Sequence, residues 1–314
     1  MRFHRFSIVD LAVSVSLFAL GLVLLTPAVV SARASSRQLA CTNNFKMMGL
    51  ALHNYHDVHN TFPPGRIWEP DPNRPAHDNS LSVMVLPYLE QAAAYNSFNF
   101  NMSWITPENK TTRVEKLEAF LCPDDPSAHV TAELDPAGQP TNMMFSLGSL
   151  AWLTHPTDPS ARLGPKPEGL FFDNSSVGIR DITDGISFTA CASEQLIDVV
   201  AREGSAEMTG ECSGITGEGK QYYERTGTRW AAGHPSSNYF NARRTPNHVD
   251  PDCFHGTPVG IGSLNKVPRS RHAGGVNLLM GDGSVRFLRN NVDLKVWQAL
   301  NTRAGGESLD ASSF

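Results

Sequence analysis

Between Leu11 and Val30 the chain runs for 20 residues without one charged side chain. As a helix rising about 1.5 Å per residue, such a run spans about 30 Å, the hydrocarbon thickness of a bilayer. Arg2 and Arg5 precede it, which favours a cytoplasmic N-terminus; Arg33 and Arg37 follow it and weaken that bias. The first 60 residues hold five basic and two acidic side chains, +3, so the remainder carries −8 of the net −5. A basic end before an apolar run is a membrane-targeting arrangement. A secretory signal cut after Val30–Ala32 and a plain anchor both fit it. Asp10 argues for something more specific, because a carboxylate at the edge of an apolar run is costly in lipid and is kept for a function.

The segment RFSIVDLAVSVSLFALGLVLLTPAV resembles the prepilin-type leader, a Gly-Phe-Thr-Leu-Val-Glu box followed by an apolar helix with a proline inside it. Phe6, Ser7, Ile8, Val9 and Asp10 follow that box in order, and Pro27 matches the proline. Two positions depart from it. Arg5 stands where the family has the glycine after which its peptidase cuts, and Asp10 is one methylene shorter than the family's glutamate. The resemblance implies assembly with pilin-like subunits. Arg5 leaves open an uncleaved anchor.

Beyond the apolar run, Leu39, Phe45, Met48, Leu52 and Tyr55 recur near helical spacing, and Pro63-Pro64-Gly65 ends the pattern. One helix is therefore expected, in the bilayer over 1–31 and continuing over 32–60 against a head that occupies 61–314. Charged residues make up only 18% of the chain, too few for a disordered one. Ser80 to Asn99 reads as an apolar segment and one helix. Gly169 to Gln195 reads as two strands joined by an Asp/Gly turn, and 231–270 as a long loop. A pI near 6.1 gives no reason to expect nucleic acid.

Five motifs then occur in order: CTNNFKMMGLALHNYHDVHNTFPPG, VLPYLEQ, FLCPDDP, IRDITDGISFT and RHAGGVNLLMGDGSVRFL. Together with the leader they resemble bacterial domain-of-unknown-function family 1559, whose members end in an H-X9-DG signature, here His272, Asp282 and Gly283. That family has no established activity, so the resemblance implies topology and location rather than a reaction. Cys41 and Cys122 fall in two of its motifs and are paired on that ground. Cys212 and Cys253, both in loop-like sequence, form a second candidate disulfide, and Cys191 reads as a buried thiol.

Signals for chemistry are sparse. His53 and His56 stand at i, i+3 on one helix face and could share a metal; packed imidazoles bonded to backbone are the competing expectation. Asp181 and Asp184 around a tight turn, with Glu194 nearby, are material for a calcium loop, although Asp-Gly is also the commonest turn dipeptide. Asp124-Asp125 after Pro123 reads as an exposed turn. Neither a G-x-S-x-G elbow nor a phosphate loop occurs, so no catalytic residue is assigned. The five tryptophans are expected in the core, with a sugar-binding surface as the alternative.

Taken together, the expectation is an α+β, pilin-like architecture: one long N-terminal helix against a mainly antiparallel sheet with long loops. The expected protein is a single-pass inner-membrane one, its head exported to the periplasm or cell surface. It would act by assembly or adhesion, with no cofactor unless calcium. The alternative is a calcium- or carbohydrate-binding module, or a metal-dependent enzyme, on the same anchor. Residues 271–288 are expected to form a hairpin with Asp282-Gly283 central in a two-residue type I′ turn, pairing Met280 with Val285. Val276 to Asp282 alone would then cover about 20 Å of strand, so His272 and Asp282 are not expected to touch within the hairpin.

Overall fold

Ile8–His59 is one α-helix, α1, of 52 residues, about 78 Å long. It belongs to a computed structural model of the chain, which describes residues 8–69, 77–129, 138–149, 152–153, 167–197, 220–222, 227–250, 252–256 and 262–310. The helix continues through Pro27 without ending. Its two halves live in different surroundings. Ile8, Leu11, Val13, Leu17, Phe18, Leu20 and Val30 are exposed, whereas Cys41, Phe45, Met48, Ala51 and Leu52 are buried. The buried residues follow the 3–4 spacing of a single helix stripe. Leu39, expected on that stripe, is six residues before Phe45, off its phase, and is exposed. Among the described residues no helix is long and apolar enough to cross a membrane. Within α1 the described side chains leave out positions 10, 21, 22, 24, 25 and 28.

The described strands, in chain order, are β1 (Arg66–Glu69), β2 (His77–Ser80), β3 (Met143–Ser146), β4 (Trp152–Leu153), β5 (Ala190–Glu194), β6 (Lys220–Tyr222), β7 (Tyr239–Phe240), β8 (Cys253–Gly256), β9 (Gly262–Asn265), β10 (Gly275–Met280) and β11 (Val285–Arg289). A hairpin, β1-β2, stands beside a five-stranded sheet of order β11-β10-β5-β3-β7 and a four-stranded sheet of order β4-β9-β8-β6. All pairs are antiparallel except β3-β7, so the central sheet is mixed. The α+β class and the helix-on-sheet arrangement match the sequence expectation. The expected loop over 231–270 is corrected: it supplies β7, β8 and β9, whose pairing partners lie far off or across a short connection. Gly169 to Gln195 yields one strand rather than two, with short 3₁₀ turns at Ile179–Asp181 and Ile186–Phe188 before it. Ser80 to Asn99 supplies one helix at Ala92–Ser97 after an apolar segment, as expected, and that segment itself coils into Leu81–Met84 and a 3₁₀ turn, Leu86–Leu89, with Pro87 near its start.

The central sheet is covered on both faces. One core joins the α1 stripe to Met143, Phe145 and Leu279. The other joins Met144, Val276, Leu278, Met280 and Leu288 to Trp297 of the Leu294–Ala299 helix, whose indole stacks on Phe240 at 5.9 Å. Trp68, Trp104, Trp230 and Trp297 are all buried, as core residues should be. The side chain of Trp152 lies outside the described residues. At the edge of the first core, Arg66 holds β1 to Asp173 through two bonds of 2.6 Å and reaches Asp78 at 3.2 Å, a fork geometry that satisfies a buried guanidinium.

The expected hairpin forms, but in a register shifted by one. Leu279 faces Val285 and Val276 faces Leu288. Met280 and Ser284 close a three-residue loop, with Met280 N bonded to Ser284 O at 2.8 Å and Gly283 N to Met280 O at 3.0 Å. Gly283 alone in that loop has positive φ, +82°, as in a type I turn followed by a bulge. The side chain and backbone N–H of Ser284 donate to Asp282 Oδ1 at 2.6 and 2.9 Å, so the aspartate serves the turn. A Cβ added at Gly283 would meet only ordinary contacts, His53 Cδ2 at 3.6 Å. Gly283→Ala therefore costs its left-handed backbone and little else. Thermal denaturation is expected to register a loss of about 1 kcal/mol; unchanged stability would contradict the turn assignment.

Candidate functional site

The α1 stripe ends its polar side at Arg37 and Thr42, and the segment after the Glu118–Phe120 turn runs past it. The Cys41–Cys122 disulfide joins the two, with the Cα atoms 4.8 Å apart across 81 residues of sequence. Asn44 on the next turn of α1 donates to the carbonyls of Glu118 and Leu121, fixing the same approach. This is the pairing that the family resemblance implied. Cys191 is buried and unbridged; burial raises its thiol pKa well above the ordinary value, which keeps it protonated. Cys212, the partner expected for Cys253, lies outside the described residues.

Against the disulfide sits His272, its side chain 1% exposed. Its Nδ1 lies 3.1 Å from Asp124 Oδ2 and its Nε2 lies 2.9 Å from Glu194 Oε1 and 3.8 Å from Cys122 Sγ. Glu194 terminates β5 and is itself held in place: Asn277 donates to it from the backbone at 2.7 Å and from the side-chain amide at 3.0 Å. Asp124 in turn accepts from Arg37 Nε at 2.7 Å, and Thr42 donates to Asn277 at 3.1 Å. The network therefore leaves α1 at Arg37, runs through Asp124, His272, Glu194 and Asn277, and returns to the helix at Thr42. Burial disfavours a charged ring, but the hydrogen bond and charge of Glu194, with those of Asp124, outweigh it and raise the His272 pKa above the ordinary value. Each ring nitrogen faces a carboxylate, Nδ1 that of Asp124 and Nε2 that of Glu194.

The signature histidine and aspartate thus have separate partners, as the hairpin argument required. The aspartate pair after Pro123 is corrected. Asp125 is buried and accepts from Asn142 at 2.8 Å and Ile197 at 2.9 Å, while Asp124 binds His272. The turn is not an exposed one, because the disulfide pulls it against the sheet. A cavity of about 10 Å³, lined by Cys122, Asp125, Glu194 and Arg269 among others, adjoins the site; that is room for about one water.

The metal sets expected from sequence are not assembled. Asp181 caps its own 3₁₀ turn by accepting from Gly178 N at 2.8 Å. Asp184 accepts from the backbone of Gly305 and Gly306 at 2.6 and 2.8 Å. Glu194 is in the His272 network instead, since β5 carries it into the core away from the turn. His53 donates from Nε2 to the Gly281 carbonyl at 2.9 Å, and His56 Nε2 accepts from Ile179 N at 3.3 Å, so each ring is spent on backbone. Among the described residues the one group of three or more His, Cys, Asp or Glu side chains close enough to share an ion is Cys41, Cys122, Glu194 and His272. In the bridged chain two of those four donors are bonded to each other.

Arg5 and Phe6 of the leader, and the side chain of Asp10, lie outside the described residues. No curated protein and no solved structure matches the chain. The family model SBP_bac_10, described as a protein of unknown function (DUF1559), matches residues 30–295. That span takes in the disulfide, Glu194, His272 and the hairpin, and the chain belongs to this family.

Proposed function

We propose that the chain is a membrane-anchored, exported protein that acts through its head by assembly with pilin-like subunits or by adhesion, α1 serving as both anchor and spine. The observation that carries this reading is the contrast along α1. From Ile8 to Val30 the described large apolar side chains stand exposed, and from Cys41 the same helix is buried in the head. Exposed apolar surface in water costs about 25 cal/mol per Å² relative to burial, and a contiguous apolar stretch of this extent marks a membrane or protein contact. The uncharged run Leu11–Val30 matches hydrocarbon thickness in length. A buried disulfide supports export, because such bonds persist in oxidising compartments.

The test is extraction of the full chain from membranes at alkaline pH, combined with protease added outside spheroplasts. The chain is expected to stay in the pellet and the head to be digested from outside. Release of the intact chain by alkali would overturn the anchor. Recovery of the chain with sheared surface filaments is the outcome expected for assembly; its absence from them with a firm anchor would leave adhesion by single heads.

A further inference from the structure

Cys41, Cys122, Glu194 and His272 each bring one donor atom to a common point, with all four atoms within 4.8 Å of one another and all four residues buried. Two sulfurs, one imidazole nitrogen and one carboxylate oxygen form a donor set suited to a tetrahedral, borderline-soft divalent ion such as Zn²⁺. The geometry around His272 is that of a ligand already oriented. Asp124 engages Nδ1 at 3.1 Å and leaves Nε2 facing Glu194 and Cys122; a carboxylate on the far nitrogen is how proteins fix the tautomer of a metal-binding histidine. Glu194 is likewise held from behind by Asn277. In the bridged chain the sulfurs are unavailable, and a proton occupies the place between Nε2 and Glu194.

We propose that, before the bridge forms or after it is opened, these four residues are a site for one zinc-class divalent cation. Disulfide and metal are then alternative occupants of the same site. Opening the bridge takes two electrons and two protons from a dithiol, which leaves as a disulfide. The incoming ion then displaces the two thiol protons and the Nε2 proton to solvent, since only thiolate and neutral imidazole can ligate. A small cavity beside Cys122 and Glu194 has room for about one water next to the donors. Asp124 acts here as a positioning residue.

The experiment uses the full chain in detergent, its bridge opened with a phosphine that does not compete for metal, titrated with Co²⁺ and then Zn²⁺. One Co²⁺ per chain is expected, with a thiolate-to-cobalt charge-transfer absorption that Zn²⁺ abolishes. The bridged chain and a Cys41→Ala/Cys122→Ala chain should show no such band. Asp124→Asn should keep the band and weaken affinity by about 10–100-fold. A reduced chain that takes up no more Co²⁺ than the double-alanine chain overturns the proposal. Circular dichroism is recorded alongside. If reduction unfolds the head, recovery of the native spectrum with Zn²⁺ supports the site, and failure to recover it overturns the site.

Discussion

Replacing Cys41 and Cys122 together by alanine is expected to lower the stability of the head by about 4 kcal/mol. The bridge closes a loop of 81 residues. In the chain-entropy account, cross-linking restricts the unfolded ensemble by about 3 kcal/mol for a 15-residue loop and about 4.7 for a 100-residue one. The present loop lies near the upper figure. Alanine avoids adding a buried hydroxyl, so no new unsatisfied polar group enters the measured loss. The loss should not be confined to the unfolded state. The bridge holds α1 against the segment that carries Asp124, and Arg37 reaches Asp124 from the same helix at 2.7 Å. Asn44 still bonds the Glu118 and Leu121 carbonyls in the variant, so the helix stays docked while the His272 network loosens. Denaturant unfolding followed by the fluorescence of the buried Trp230 and Trp297 measures the difference. A change below about 1 kcal/mol would mean that the unfolded chain is already compact around these cysteines.

The sequence carried the long helix, the Cys41–Cys122 pair and the existence of the C-terminal hairpin, each for a definable reason. An uncharged run followed by a stripe at 3–4 spacing has no other economical reading. The hairpin was legible from Asp-Gly between apolar runs, but its register was not. Asp282-Gly283 satisfies a two-residue turn, and Gly283 equally satisfies the left-handed position of a three-residue one. Alternation would have decided between them in a half-exposed strand. Here β10 is buried on both faces, by α1 and by the Trp297 helix, and every residue from Gly275 to Met280 is buried. The pattern that fixes register was therefore erased by burial itself. The site was less legible still. Asp124, Glu194 and His272 come from three segments separated by about 70 residues each, so no spacing links them. Asp124-Asp125 looked like a turn because its sequence is one; only the neighbouring disulfide turns it inward. The one usable signal was that Asp124 stands two residues from Cys122, whose own position was fixed.

Changing Glu194 to glutamine is expected to cost about 3–5 kcal/mol in the disulfide-bonded chain, the range for removing one partner of a buried ion pair. The side chain keeps its shape, so the loss isolates charge and hydrogen bonding. Glu194 accepts from two sides, His272 Nε2 and both nitrogens of Asn277. An amide has one acceptor oxygen, and its NH₂ must face one of those donors. The loss should also depend on pH, with a definite sign. The folded chain binds the His272 proton more tightly than the unfolded chain does, because Glu194 and Asp124 overcome the burial penalty. The stabilisation is therefore complete below the unfolded pKa of about 6.5 and is lost as pH rises through the folded value. Between the two values stability falls with rising pH, by at most about 1.4 kcal/mol per pH unit for this one proton. Glutamine removes the larger of the two carboxylate contributions, so the gap between native and variant chains should be widest in mild acid and narrow as pH rises. Denaturant unfolding at a series of pH values from about 5 to about 9 reads this directly. Parallel profiles for the two chains would mean that His272 is neutral in the folded state, with Nε2–H a plain donor to Glu194.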